Sequence, residues 1–342
     1  MNRRANSSRE KSFKQQVKLC GEVSRLALRL LLNPNTARWI PRILAEGIAP
    51  VRRMSRLKFI EAHNMREIKN LLAADVPIIF VTSFPRSGNT WMRYLLSDVF
   101  LQKEGIDTTT KLVIHPDEII ADFYRSLVAE RNPKVRTPGV LVKIHDSFGG
   151  LRQRFWGDLH HTHPSFHRCR HLYLYRNPED ALVSLYHHHL QEDLVVENSA
   201  KWIGPAKIDE FCRRTLPAWI DHASGYLAAT QEGLSIYFAS YEGLLTDPTK
   251  VLGEVLRWLG VSHTMPMLER AVSNMQFEKL KATNARDMGH HGRSGAGSLQ
   301  LAGSTIEEIR GRTAPLVKRM DVQAAHLTAL PSATECLSGG RT

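Results

Sequence analysis

The chain has 342 residues, 42% of them hydrophobic and 23% charged, enough to close a large core without disulfide or metal staples. No run of about 18 apolar residues is present, so no membrane-spanning helix is expected, and the four scattered cysteines, none in a C-x-x-C pair, are expected as free thiols of a reducing, cytoplasmic compartment. The net charge of +12 is uneven: residues 1–60 carry 14 Lys/Arg against 3 Asp/Glu, a charge of +11, which leaves +1 for all the rest.

Residues 1–70 read as a basic, partly helical arm. Its most apolar run, Leu26–Leu32, is broken by Arg29 and lacks a small-residue cleavage site, so it is not read as a signal peptide. Ser24–Leu32 is amphipathic, and two readings stay open: peripheral contact with an anionic membrane face, or a solubilising arm that lies on the domain. Nucleic acid is not expected as a partner, because no aromatic residues are interleaved with the charges. Asn33-Pro34-Asn35 is a break. Helices are expected over Ala37–Ala49 and Met54–Ala74. Residues 71–325 form the expected main domain, and residues 326–342 a frayed tail.

From Val76 the sequence runs VPIIFVTSFPRSGNTWMRYLLSDVF. Ile78–Thr82 is a short β-branched apolar run, predicted as a buried strand. Ser83–Asn89 is a tight turn with Pro85 and Gly88. From Thr90, the residues Trp91, Tyr94, Leu95 and Val99 recur at helical spacing. A strand, a glycine-bearing turn and a helix N-terminus together favour an anion, through unused amides and the positive end of the helix dipole. Arg86 adds a full charge, and Ser87, Asn89 and Thr90 add short polar side chains where phosphate oxygens would sit. The loop is not a Walker A loop, since Asn89 rather than Lys follows Gly88.

Further along, His115-Pro116-Asp117-Glu118 reads as a helix start. Val140–His145 is a second buried strand, with Lys143 and His145 at its end. In an open α/β sheet ligands sit beyond the carboxyl ends of strands, so these two groups fall where the first loop also points. The histidines at 160, 161, 163, 167 and 171 invite a metal, but the run is irregular and broken by Pro164, without the ligand geometry zinc needs; no metal is expected. His171–Tyr175 is a third strand. Arg176-Asn177-Pro178-Glu179-Asp180 follows, with Pro178 and two acids placed as in a helix first turn. Ser184 lies eight residues after Arg176. Phe211–Leu227 reads as a helix, and Ile236–Ser240 as a fourth strand ending at Tyr241-Glu242. Asp247-Pro248 opens a helix over Lys250–Leu259, and another is predicted from Ser304 to Met320.

Several stretches together resemble the sulfotransferase family. Pro85–Trp91 resembles its 5′-phosphosulfate loop, with Arg86 where the usual form has Lys. Arg176–Ser184 resembles its 3′-phosphate motif. Tyr241–Gly260 and Ser273–Lys281 resemble two later segments. Gly292–Ser298 resembles a glycine-rich phosphate loop, although Ser294 stands for the usual Lys and the glycine spacing is one shorter. The likeness spans Val76 to Gly297. It implies an α/β, P-loop-like three-layer fold, with a central, mainly parallel sheet of about five strands flanked by helices. It implies 3′-phosphoadenosine 5′-phosphosulfate as sulfuryl donor, and an acceptor hydroxyl or amine. By the same resemblance, His145 would be general base, with Lys143 and Arg86 stabilising the transferred group. Ser87, Gly88, Asn89 and Thr90 would cradle the 5′-phosphate. Arg176, Ser184, Arg293 and Gly295 would hold the 3′-phosphate, and Trp91, Tyr241 and Phe277 the adenine. The acceptor is left open between a small molecule and a glycan; the loops at 105–122, 146–168 and 191–207 would build its pocket. Two other classes stay open: a P-loop nucleotide kinase, disfavoured by the missing Walker Lys and by no obvious Mg²⁺-binding Asp after a strand, and a catalytically silent nucleotide-binding or membrane-surface protein.

Overall fold

The computed structural model describes residues 40–106, 115–156, 168–191, 207–276 and 295–328. The chain divides into two compact units, Met1–Phe59 and Ile60–Thr342. The amphipathic stretch at Ser24–Leu32 lies outside the described residues, as do His160, His161, His163 and His167.

Five strands form the sheet: β1 (Ile78–Ser83), β2 (Ala121–Asp122), β3 (Val140–Ile144), β4 (Arg170–Tyr175) and β5 (Ser235–Ser240). Their spatial order is β2-β3-β1-β4-β5, and every neighbouring pair is parallel. Every residue of β1 is buried, as a central parallel strand covered on both faces must be. The pleat divides its side chains between two cores. Ile78 and Phe80 join Val140, Val142, Tyr173 and Phe238 on one face; Ile79 and Val81 join Leu141, Leu172, Leu174 and Tyr237 on the other.

Helices cover both faces. The first core is closed by the end of α1 (Ile40–Ala73), through Ile68 and Leu72, and by α3 (Phe148–Trp156), α4 (Pro178–Gln191), α5 (Ile208–Gln231) and α9 (Gly303–Thr328). The second is closed by α2 (Asn89–Lys103), α6 (Tyr241–Thr246), α7 (Pro248–Trp258) and α8 (Met265–Asn274). This is the three-layer α/β arrangement that the sequence predicts.

Several local readings differ. The stretch 146–168, expected as a loop, carries the helix α3 over Phe148–Trp156, and Tyr241-Glu242, read as the end of a strand, opens α6. α1 is one helix rather than two: Pro50 removes an amide donor from the ladder, yet the helix runs through it. The predicted helix start at His115 is one 3₁₀ turn, Pro116–Glu118, capped by the His115 side chain, and the chain then enters β2. Ile119, Ile120 and Ala121 are buried; a two-residue strand has no periodicity from which it could be read.

The sheet order fixes where a ligand belongs. From β1 the chain crosses to the β2 edge, returns to β3 beside β1, then moves to β4 on the other flank of β1. The carboxyl ends of β3, β1 and β4 therefore meet at the point where the connections change direction, which is the crevice that open α/β sheets use for ligands.

Candidate active site

The central strand delivers the first part of the site. After Ser83 the loop turns through Arg86 and Gly88, both left-handed with φ of 68° and 91°, and α2 begins at Asn89. A left-handed arginine is strained, and strain of this sort is kept where a site needs the backbone aimed. Gly88 has a second reason to be glycine: a Cβ there would lie 2.5 Å from the Tyr241 ring. The Asn89 side chain donates from Nδ2 to the Val81 carbonyl at 3.0 Å and to Ser83 Oγ at 3.3 Å, tying the helix start to the strand end. Ser87 is 1% exposed, and neither its Oγ nor Asn89 Oδ1 has a hydrogen-bond partner. Two orphaned buried oxygens in one turn are costly. The Ser87 hydroxyl can donate, and with the amides of the first helical turn, which have no intrahelical acceptor, it makes a cradle that fits a phosphate group; Asn89 Oδ1 only accepts and reaches such a group through a water. Thr90 is half-buried beside them.

β3 delivers the second part. His145 follows its last residue, and Nδ1 donates to the Ser83 carbonyl at 2.9 Å, with Ser83 Oγ at 3.4 Å. A carbonyl can only accept, so the proton sits on Nδ1 and the Nε2 lone pair is left to take another. Burial first, and the Lys143 ammonium second, hold His145 well below the usual imidazole range, so it is neutral near pH 7. Lys143 is 8% exposed and donates to Asp122 Oδ2 at 2.7 Å. Asp122 is registered opposite Lys143 in the parallel β2–β3 pair, which puts both side chains on one side of the sheet. Burial would raise the Asp122 carboxyl, but the charges of Lys143 and Arg93 outweigh it and bring it down to about 2. Burial lowers the Lys143 ammonium while Asp122 opposes that shift.

The sequence reading missed Asp122, and it found no acid at a strand end. The available signal was an acid inside the apolar run Ile119–Phe123, since a buried carboxylate requires a partner. Arg93 was missed as well. It is buried on α2, ion-paired with Asp117 and donating to the Ile120 carbonyl at 2.6 Å.

β4 delivers the third part. Arg176 follows its last residue, is 6% exposed, and donates to the Arg86 carbonyl at 3.2 Å. Its guanidinium lies 4.4 Å over the Tyr241 ring. Ser184, two turns along α4, accepts from Arg86 Nε at 3.4 Å. The two arginines and the serine that sequence reasoning placed around the nucleotide phosphates therefore share one neighbourhood. The Asn177 side chain caps α4 by accepting from the Glu179 and Asp180 amides, and the Asn177 amide donates to Glu242 at 3.0 Å.

Gly295 lies beside α4, but its amide donates to Asp180 Oδ2 at 2.7 Å, and the Gly297 amide donates to Asp180 Oδ1 at 2.6 Å. Those two donors are held by a carboxylate. Trp91 and Tyr241, expected to face the adenine, are both buried, with rings edge to face. Trp91 Nε1 donates to the Met275 carbonyl at 2.8 Å, and Tyr241 is the wall on which Gly88 rests. Phe277 and Arg293 lie outside the described residues. His171 is a core residue, stacked on Phe80 and set edge-on to Phe148 and Tyr226.

Comparison with known proteins agrees with this arrangement. A family model described as a sulfotransferase domain matches residues 77–297. The chain is 24% identical to the flavonol 3-sulfotransferase of Flaveria bidentis over 232 residues, which are 65% of this chain and 70% of that one. It is 23% identical to cytosolic sulfotransferase 1 of Danio rerio over 227 residues, 64% of this chain and 70% of that one. Among solved structures it is similar to a mouse sulfotransferase complexed with PAP, at TM-score 0.48 and 15% identity over 75% of this chain and 89% of that one. The match takes in β1, the Arg86 loop, the Lys143 and His145 strand end, and the Arg176 turn, so the chain belongs to the sulfotransferase family, enzymes that draw their sulfuryl group from 3′-phosphoadenosine 5′-phosphosulfate.

Proposed function

We propose that this chain moves a sulfuryl group to an acceptor hydroxyl, with His145 as general base and with Lys143 and Arg86 as the cations that offset charge on the transferred group. The observation that carries the reading is convergence: the ends of three adjacent strands bring the Arg86 loop, the Lys143–His145 pair and Arg176 to one edge of the sheet. When bound, 3′-phosphoadenosine 5′-phosphosulfate supplies an activated sulfuryl group on a phosphosulfate anhydride. The Ser87–Thr90 turn, with its orphaned Ser87 Oγ, would hold the 5′-phosphate. Arg176 and Ser184 would hold the 3′-phosphate, together with Gly295, whose amide is taken by Asp180, and Arg293. Trp91, Tyr241 and Phe277 would bound the adenine.

The residues divide the work. His145, neutral and with Nδ1 committed to Ser83, takes the acceptor proton on Nε2, a role worth roughly 100- to 10,000-fold in rate. Transfer of a group whose charge is spread over its oxygens leaves most of the catalysis to positioning and cations, which Lys143 and Arg86 supply from two neighbouring strands.

A polar acceptor, such as a glycan hydroxyl, is favoured by the polar surroundings of Lys143, where Arg93, His115, Asp117, Asp122 and Arg125 line a hollow of about 20 Å³, room for one hydroxyl or water rather than a sugar ring. The flavonol relative suggests a phenol instead. A panel in which only hydrophobic phenols are sulfated would overturn the polar reading. A cytosolic setting is proposed from the name of the Danio relative.

The test of the donor site is calorimetric titration with 3′,5′-adenosine bisphosphate, AMP and ATP. Tight binding of the bisphosphate alone, weakened about tenfold or more in Arg176→Ala, is expected from the loss of a charge-assisted fork. Equal binding of AMP, or no effect of the substitution, would refute the 3′-phosphate assignment.

A further inference from the structure

Lys143 is a buried amine, and a buried amine by itself tends to give up its proton. Without that proton it cannot offset negative charge. The structure answers this problem with a carboxylate that has no place in the reaction as described above.

Asp122 is 2% exposed and ends β2. It stands in register with Lys143, and Oδ2 accepts a hydrogen bond from the ammonium at 2.7 Å. Its other oxygen is occupied: Oδ1 accepts the Tyr124 amide at 3.1 Å. Its backbone is fixed too. The Asp122 amide donates to Ser126 Oγ at 2.7 Å, and the Asp122 carbonyl accepts the Arg125 and Ser126 amides, each at 2.9 Å. The Phe123 amide donates to the Lys143 carbonyl at 3.0 Å. The carboxylate is thus clamped by its own turn and can present one oxygen, in one direction, to one amine.

Resting on the sulfotransferase reading of the site, we propose that Asp122 is a positioning residue that keeps Lys143 protonated and aimed at the transferring group. An ammonium has three protons. One is spent on Asp122, and this fixes the direction of the other two. The remaining charged and titratable groups around Lys143 are Arg93 and Tyr94 on α2, His115 and Asp117 on the 3₁₀ turn, Arg125 after β2, and His145 at the end of β3. Arg93 and Arg125 push the Lys143 proton off, as does burial. Arg93 is itself bound to Asp117, so among the described residues Asp122 is the acid in direct contact with the amine.

The experiment is the pH profile of kcat for wild type, Asp122→Asn and Asp122→Asn/Lys143→Arg, with donor KM measured alongside. In Asp122→Asn the alkaline limb should move to lower pH by roughly 1–3 units, the effect of removing one close opposite charge. At pH 8 kcat should fall while donor KM changes little. In the double variant the limb should be absent, because a guanidinium keeps its proton unaided. An unmoved limb in Asp122→Asn would overturn the proposal. If Asp122→Asn does not fold, Asp122→Glu, which keeps the charge and displaces the oxygen from the amine, decides: a lowered kcat with donor KM little changed supports the assignment, and a kcat and an alkaline limb both equal to wild type refute it. A wild type that binds no bisphosphate and turns over no acceptor would instead refute the sulfotransferase reading of this site, an outcome separate from an unmoved limb.

Discussion

At the scale of single residues, the site rests on which atoms are already committed. His145 Nδ1 is committed to Ser83, so its chemistry falls to Nε2. Replacing His145 by Ala should lower kcat by roughly 100- to 10,000-fold and leave bisphosphate affinity within about threefold, since the contacts of His145 are to Ser83 at the strand end and not to the Ser87–Thr90 turn itself; steady-state kinetics and calorimetry on the same preparation check both halves. Because His145 is held far below the usual imidazole range, wild-type kcat should show no acid limb near pH 6.5. A limb centred there would mean that bound substrates return the imidazole to its ordinary value. Gly88 illustrates the other kind of commitment: its left-handed φ and the Tyr241 ring 2.5 Å from any Cβ leave room for no other residue.

At the scale of elements, α4 is a clamp. Its first turn holds Asp180, which accepts the Gly295 and Gly297 amides, and Glu179, which is ion-paired with Arg310 of α9. One turn thus anchors a glycine-rich segment more than a hundred residues away, next to Arg176. A Cβ on Gly297 would lie 2.7 Å from Asp180 Oδ1, so close docking needs that glycine. Asp180→Ala removes two hydrogen bonds to a charged acceptor, each worth about 1.5–3 kcal/mol. The expected outcome is a lower Tm together with weaker bisphosphate binding. A lower Tm with bisphosphate affinity unchanged in the folded fraction would show that the clamp supports the fold alone.

At the scale of the whole molecule, the core contains groups that resist protonation. Burial brings His171 down to about 3 and His222 down to about 4, and His145 lies in the same depressed range. The unfolded chain binds these protons near pH 6.5 and the folded chain does not. Stability from these groups is therefore complete above pH 6.5 and is lost as pH falls from 6.5 toward 4, by about 1.4 kcal/mol per pH unit per histidine. Asp122, brought down to about 2, adds a further loss between about pH 4 and pH 2. Thermal melts should show Tm falling steadily from pH 6.5 to 5, and His171→Leu should flatten that slope. A Tm independent of pH over this window would contradict the burial of these rings.

What the sequence determined by itself was whatever is local. The β-branched run Ile78–Thr82, the turn with Arg86 and Gly88, the strand end with Lys143 and His145, and the Arg176-Asn177-Pro178 turn are each written in fewer than ten consecutive residues, because strand burial, turn chemistry and helix starts are short-range effects. Their order along the chain was enough to place them at one edge of a parallel sheet. Only the tertiary structure decided who pairs with whom. Asp122 meets Lys143 through strand register, Asp180 meets Gly295 and Gly297 across 115 and 117 residues, and the Tyr241 ring stands against Gly88 and under the Arg176 guanidinium. None of these contacts has a spacing that could be read beforehand. A two-residue strand has no period, and a carboxylate's partner is set by which elements pack together, not by the residues beside it in the chain.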